Sequence, residues 1–296
     1  MQAHDDIRIG TLVKGNEHAP NYLRQIVPHG FESFQLTFSG QIHELDLPRL
    51  AGQARQILAD AGGQAVISSV GIYGNTLTDE AIERGWSRLI DSAELFGCKL
   101  VCGFAGRIVN APVPESMSRF KEVFSRLARQ AEDCGVRLAF ENCDMGGTWE
   151  YGDWNIAHAP TAWEQMFDAV PSDALGLEWE PCHQMVSLID PLPQLRRWAH
   201  KVFHLHGKDA TVMWDVVRTC GIRGGQRYVY HRTPGFGDTN WSDVISILRI
   251  AGFRGAIDIE GWHDPVYRGD LEMTGQVAAL DYLKRCRGGE FVPNPS

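Results

Sequence analysis

The chain has 296 residues, 44% of them hydrophobic and 22% charged, and carries a formal net charge of −9. That is the balance of an ordinary globular protein, and the length lets a large core form without disulfide or metal staples. The acidic balance argues against a nucleic-acid partner, because duplex binding rests on Lys and Arg at the phosphates.

Short apolar runs alternate with longer amphipathic ones. The predicted strands are Ile7–Val13, Phe34–Phe38, Gln64–Val70, Lys99–Phe104, Val136–Glu141, Leu175–Glu180, Val202–His206 and Ala256–Glu260. The predicted helices are Ala19–Val27, Leu47–Ala61, Asp79–Phe96, Ser118–Cys134, Thr161–Ala169, Leu192–Lys201, Trp241–Ala251 and Thr274–Cys286. Acidic residues open the third helix and Gly97 follows its end, as the helix dipole and the C-cap favour. Eight strand–helix alternations with no composition break predict a parallel sheet closed as a single (β/α)₈ TIM barrel, spanning 1–296, with 287–296 a frayed tail. Two longer insertions, Asn142–Pro160 and Ala210–Asn240, follow the fifth and seventh strands, at the face where barrels build their sites. The run Pro234-Gly235-Phe236-Gly237 reads as a turn closing the second.

The seven cysteines are odd in number and contain no C-x-x-C pair, which speaks against a disulfide framework and a structural zinc site. No apolar run approaches the roughly eighteen residues of a membrane helix. The polar start, Met-Gln-Ala-His-Asp-Asp, lacks the apolar stretch of a signal peptide, so a cytoplasmic location is expected. Phosphate-loop, dinucleotide-fold, serine-elbow and H-E-x-x-H patterns are absent, so no nucleotide cofactor is expected.

Four strands end in residues that ligate metals. The fifth ends Phe140-Glu141, the sixth Glu178-Trp179-Glu180, the seventh His204-Leu205-His206 and the eighth Asp258-Ile259-Glu260. Alternation puts Glu178 with Glu180 on one face, and His204 with His206, the second of each pair nearer the mouth. Three carboxylates and an imidazole would repel or go unsatisfied without a cation. An oxygen-rich set with one nitrogen suits Mn²⁺ foremost, with Mg²⁺ or Co²⁺ as alternatives. A lone Glu at a strand end is often a solvated loop residue, and His204 reads as a packing histidine; four such strand ends together carry the metal reading. Around them His183 is placed to touch a substrate oxygen, Lys208 to steady an oxyanion or pair with Asp209, and Trp149, Arg232 and His263 to bind substrate. Trp154, Trp179, Trp214 and Trp262 also fall near the mouth, Trp179 reading as core.

These segments resemble the xylose isomerase-like barrel family of sugar phosphate isomerases and epimerases. The resemblance runs from the first strand to the last helix. It is densest in Phe140-Glu141-Asn142-Cys143, Gly152-Asp153-Trp154-Asn155, Leu177-Glu178-Trp179-Glu180-Pro181-Cys182-His183, His204-Leu205-His206-Gly207-Lys208-Asp209, Pro234-Gly235-Phe236-Gly237-Asp238 and Ile259-Glu260. It implies metal ligands at Glu141, Glu180, His206 and Glu260, an acid–base pair in Glu141 and Glu260, and a substrate contact at His183. Members usually carry Asp where this chain has Glu180, which sets the carboxylate about 1.5 Å further out. A second departure is Glu260-Gly261-Trp262-His263, where members commonly have Glu-His.

The activity so implied is proton abstraction next to a carbonyl on a sugar, cyclitol or keto-sugar, ending in isomerisation or epimerisation. Elimination of the aglycone from a 3-keto-glycoside begins with the same step and is the runner-up, a lyase. A metal-dependent endonuclease fits the acidic balance poorly. A non-catalytic sugar-binding subunit of an oxidoreductase complex does not need the ligand set. The expected partner is a small carbohydrate or keto-glycoside, with no nucleic acid or membrane; a homo-oligomer or a companion subunit is compatible with the sequence.

Overall fold

The computed structural model describes residues 4 and 6–295. Eight of its strands follow the predicted order: β1 (Ile7–Lys14), β2 (Ser33–Phe38), β3 (Val66–Ile72), β4 (Leu100–Gly103), β5 (Arg137–Glu141), β6 (Leu175–Trp179), β7 (Val202–Gly207) and, after two strands the sequence reading missed, β8 (Asp209–Val212) and β9 (Val229–Arg232), the eighth barrel strand β10 (Gly255–Ile259). The helices are α1 (Ala19–Ile26), α2 (Leu47–Asp60), α3 (Glu80–Phe96), α4 (Met117–Cys134), α5 (Pro160–Ala169), α6 (Pro181–Val186), α7 (Pro191–Trp198), α8 (Trp214–Cys220), α9 (Trp241–Ile250) and α10 (Glu272–Cys286). The main sheet closes on itself in the order β1-β10-β7-β6-β5-β4-β3-β2, the expected (β/α)₈ barrel. β8 and β9 form a separate two-stranded sheet.

Local chemistry sets the helix ends. Asp79 caps α3 by accepting from Ala81 N at 2.8 Å, and Asn240 caps α9 by accepting from Asp243 N at 3.1 Å. Gly97 and Gly135 end α3 and α4 in the left-handed conformation.

By density of internal contacts the chain resolves into two compact units. One comprises Leu12–Trp179 and Lys201–Leu205. Its aromatic core joins Trp86 of α3 and Phe120 and Phe124 of α4 to Phe140 of β5, with Phe124 edge-on to Phe140 at 4.8 Å. Because Phe140 turns outward onto these helices, strand alternation turns Glu141 into the barrel. Arg107 is fully buried in the same unit. Its guanidinium donates to Ala111 O, Thr148 O and Trp149 O at 2.6–3.2 Å, so a single side chain ties the segment after β4 to the insertion after β5. That insertion contains no helix or strand up to α5.

The other unit comprises Met1–Thr11, Glu180–His200 and His206–Ser296. Here Arg249 pairs with Asp6 at 2.7 Å, Arg287 donates to Ile7 O at 2.6 Å, and His4 Nε2 lies 3.0 Å from Gly289 O. Arg287 is buried, and its bond to Ile7 O ties the start of the tail to the first strand. Residues 1–3, 5 and 296, within the polar start and the tail read from sequence, lie outside the described residues.

Replacing Arg107 with Ala leaves the buried Ala111 carbonyl without its donor and frees the carbonyls of Thr148 and Trp149, so urea unfolding should show a loss of about 2 kcal/mol. Limited proteolysis should then cut between 142 and 160, where the parent protein resists.

Candidate metal centre

β6 ends at Trp179, and Glu180 becomes the N-cap of α6, with Pro181 in the first helical position, where a missing N–H costs nothing. That junction buries the Glu180 side chain completely and brings His183, one turn on, back against it. His183 Nε2 lies 2.5 Å from Glu180 Oε1 and 3.4 Å from Lys208 Nζ. β7 delivers His206, and Lys208 lies between β7 and β8. Glu260, just past β10, is held by its own N–H donating to Gly207 O at 3.1 Å.

The charged ends meet. His206 Nδ1 is 3.3 Å from Glu260 Oε2 and 3.8 Å from Glu180 Oε2. Lys208 Nζ is 3.0 Å from Glu260 Oε1 and 3.9 Å from Glu180 Oε1. Burial alone would raise the Glu260 carboxyl. The Lys208 ammonium, with the neighbouring His206 and His263 rings, outweighs it and holds the carboxyl well below the usual carboxylate range. Glu260 is therefore an anion at neutral pH, though only 7% exposed.

Glu180, His206 and Glu260 each offer a ligand atom within 4.8 Å of the others. Glu260 Oε2 makes no hydrogen bond among the described residues. Two buried carboxylates and an imidazole, with an acceptor left over, fit a divalent cation that prefers oxygen. The sequence reading thus brought three of its four expected ligands to one place in this unit.

Glu141, the fourth, belongs to the other unit. It stands in register with Glu178 of β6, and Glu178 in turn with His204 of β7. Glu178 is the hub of a buried network that sequence did not reveal. It accepts from Gln35 Nε2 at 2.5 Å and Tyr73 OH at 2.7 Å, and its Oε1 lies 3.0 Å from His204 Nδ1. Burial, then the charges of Glu178 and Glu141, push the Tyr73 phenol well above its ordinary value, so Tyr73 serves as a donor. Burial does the same to the Cys102 thiol. His204, read as packing, is instead bonded to Glu178; a repeating Glu-x-Glu beside His-x-His was the available signal.

Other expected site residues fall in different places. His263 is half-exposed and sets Nε2 3.1 Å from Glu260 Oε1. Arg232 pairs with buried Asp264 at 3.1 Å, a structural bond. Lys208 faces Glu260 and Glu180, whereas Asp209 receives Ala210 N, Thr239 N and Trp241 Nε1 at 2.7–3.0 Å. Trp149, in the other unit, is partly buried, and its carbonyl is taken by Arg107. Trp179 is core; Trp154 and Trp214 are exposed.

With this geometry in hand, the chain was compared with known proteins. A family model described as the xylose isomerase-like TIM barrel matches residues 23–286. The chain belongs to the xylose isomerase-like TIM barrel family. The resemblance drawn from Glu141, Glu180, His206 and Glu260 led to the same family. Among solved structures, 3-keto-D-glucoside 4-epimerase from E. coli in its apo form superposes with a TM-score of 0.69 at 14% identity, covering 95% of this chain and 100% of that one. A family member from Mycobacterium smegmatis in complex with magnesium gives 0.69 at 19% identity, over 97% and 100%. D-psicose 3-epimerase with D-tagatose from Clostridium cellulolyticum H10 gives 0.65 at 14% identity, over 95% and 99%. At these identities the likeness is one of fold. No curated protein matches the sequence.

Asp264 anchors the loop that follows Glu260. It accepts from Thr233 N at 2.8 Å, Val266 N at 2.8 Å and Tyr267 N at 3.0 Å as well as from Arg232. Burial works against these bonds, but together they hold its carboxyl below the ordinary 3.8. Asp264→Asn should cost about 2 kcal/mol in urea unfolding at pH 7. A depressed folded-state value adds stability that is complete above the unfolded value and lost as pH falls through the folded one. The gap between parent and variant should therefore shrink once the pH drops below 3.8.

Proposed function

We propose that this protein is a divalent-metal-dependent isomerase or epimerase that abstracts a proton next to a carbonyl on a sugar, cyclitol or keto-sugar. The observation that carries the reading is the convergence of buried Glu180, His206 and Glu260 around Lys208 in a family barrel. Glu141 completes the proposed ligand set with those three. Its support is that β5 turns it inward in register with Glu178, two residues before Glu180 on the neighbouring strand.

The chain's own groups suit the chemistry. A carboxylate, Glu260 or Glu141, takes the proton from the carbon beside the carbonyl, and the C–H electron pair moves into the new carbon–carbon double bond while the carbonyl oxygen becomes anionic. A bound divalent cation supplies positive charge against that oxygen, Mn²⁺ being the first choice for this donor set. For epimerisation the other group, entering as the carboxylic acid, gives its proton to the opposite face of the same carbon; for isomerisation the abstracted proton is delivered to the former carbonyl carbon while the neighbouring hydroxyl's proton passes to the former carbonyl oxygen. His183, beside Glu180 and Lys208, is placed to meet a substrate oxygen. Lys208 holds Glu260 ionised. A near-dry site makes each of these charges count for more than it would in water.

In the purified protein, elemental analysis should find about one divalent metal per chain, and keto-sugars should incorporate solvent deuterium. Glu141→Gln and Glu260→Gln should each cut exchange by on the order of 10³-fold while the chain stays folded by circular dichroism. Unchanged exchange and unchanged metal content in both variants would remove the catalytic reading, and release of a free aglycone in place of exchange would make the reaction an elimination.

Glu180→Asp restores the residue usual at this position in the family but withdraws the carboxylate from His183. Metal affinity, read by competition with a chelating dye, should fall on the order of tenfold.

A further inference from the structure

The unit that holds Glu180, His206 and Glu260 also contains a cavity of about 550 Å³, within the roughly 300–1,000 Å³ range of small-molecule sites. Its walls include Val186 at the end of α6, Arg227, Tyr228 and Tyr230 on the β8–β9 insertion, and His231 and His263. Two of these side chains also border the metal centre. His263 Nε2 is 3.1 Å from Glu260 Oε1, and the His231 ring stands edge-on to that of His183 at 5.3 Å between centroids. The cavity thus shares two lining histidines with the surroundings of Glu260 and His183. The proposed proton abstraction gives it no task.

We infer that this cavity is a second substrate subsite, which takes an uncharged hydroxylated ring joined by a glycosidic bond to the ring that loses its proton. The inference rests on the proposed function and names the class of its substrate: a glycoside of two rings in place of a free or phosphorylated monosaccharide.

Three features of the walls argue for that class. The first is aromatic surface. Tyr228 and Tyr230 are half-buried, and Tyr228 is fixed by donating its OH to Val186 O at 3.0 Å. Ring faces held this way pack against the C–H surface of a sugar. The second is the supply of polar side chains, two tyrosines, Gln226 and two histidines, which match hydroxyls. Burial first, and then the nearby Lys208, bring the His231 imidazole down to about 3, so it is uncharged at neutral pH. The third is the shortage of cations. Among the described residues lining the cavity, Arg227 alone carries a permanent positive charge, and it sits at 5.7 Å over the Tyr230 ring. A phosphate or carboxylate site would call for several converging cations or amide N–H groups. A planar guanidinium beside a tyrosine ring suits a neutral ring better.

The test uses the full chain loaded with Mn²⁺ and titrates three probes by calorimetry: D-glucose, cellobiose and D-glucose 6-phosphate. Cellobiose should bind on the order of tenfold more tightly than D-glucose. Tyr230→Ala and Arg227→Ala should each erase that advantage and leave D-glucose binding as it was, and Tyr230→Phe should keep it. Both positions lie outside the proposed catalytic groups, and Arg227 is exposed, so the variants should fold. Equal binding of D-glucose and cellobiose, a preference for D-glucose 6-phosphate, or a cellobiose advantage that survives Tyr230→Ala and Arg227→Ala would each overturn the inference. Metal content is read on the same samples. A protein that takes up metal but shows no cellobiose advantage sinks the subsite alone. One that binds no metal sinks the metal reading and leaves the subsite to the sugar titrations.

Discussion

Buried negative charge is the constraint around which this protein is arranged. Glu180 and Glu260 lie deep in one unit, with Glu180 wholly hidden from solvent. Leaving ionised carboxylates in such a place is costly unless charge or hydrogen bonds answer them. Lys208 answers both, at 3.0 Å and 3.9 Å, and is itself buried. One ammonium does not balance two carboxylates, and Glu260 keeps an oxygen with no hydrogen bond. Such an arrangement persists through selection for function, since an apolar core would be cheaper.

The same constraint recurs in the other unit and is solved without a metal. Glu178 is also completely buried, but Gln35, Tyr73 and His204 surround it. These contacts fill the carboxylate's acceptor positions and keep the strands β2, β3, β6 and β7 in fixed relation. A carboxylate hydrogen-bonded in this way specifies rotamers and register. Glu178 within β6 and Glu180 just past its end thus play opposite parts. Their difference comes from which neighbours supply hydrogens.

Much of this was legible in the sequence. Strand alternation alone put Glu178 with Glu180 and His204 with His206, and helix caps such as Asp79 and Gly97 marked boundaries that the fold kept. The barrel itself followed from counting alternations of short apolar runs and amphipathic segments. What was not legible depended on contacts distant in sequence. Arg107 looked like any loop arginine, yet two of its three carbonyl partners, Thr148 and Trp149, come from a segment some forty residues on. Tyr73, Gln35 and Cys102 carried no pattern, because their importance lies in meeting Glu178. Arg232 read as a substrate contact because it sits beside the mouth, but buried Asp264 claims it first. The hairpin β8–β9 was hidden inside an insertion whose polar, glycine-bearing middle masked two short strands.

That hairpin has a firm base and a free end. At the base, Asp209 is gripped by three N–H donors, and Gly237 passes so close that a Cβ there would sit 2.5 Å from the Asp209 carboxylate. The base therefore tolerates little change. Beyond the rung pairing Val212 with Val229, the chain from Gly221 to Arg227 is largely exposed and bears few obligations to the barrel. Mutation can rewrite that tip while the carboxylates and the lysine below stay where they are. In lineage terms the hairpin is an exchangeable part: new substrates can be tried at its end without renegotiating the chemistry at its root.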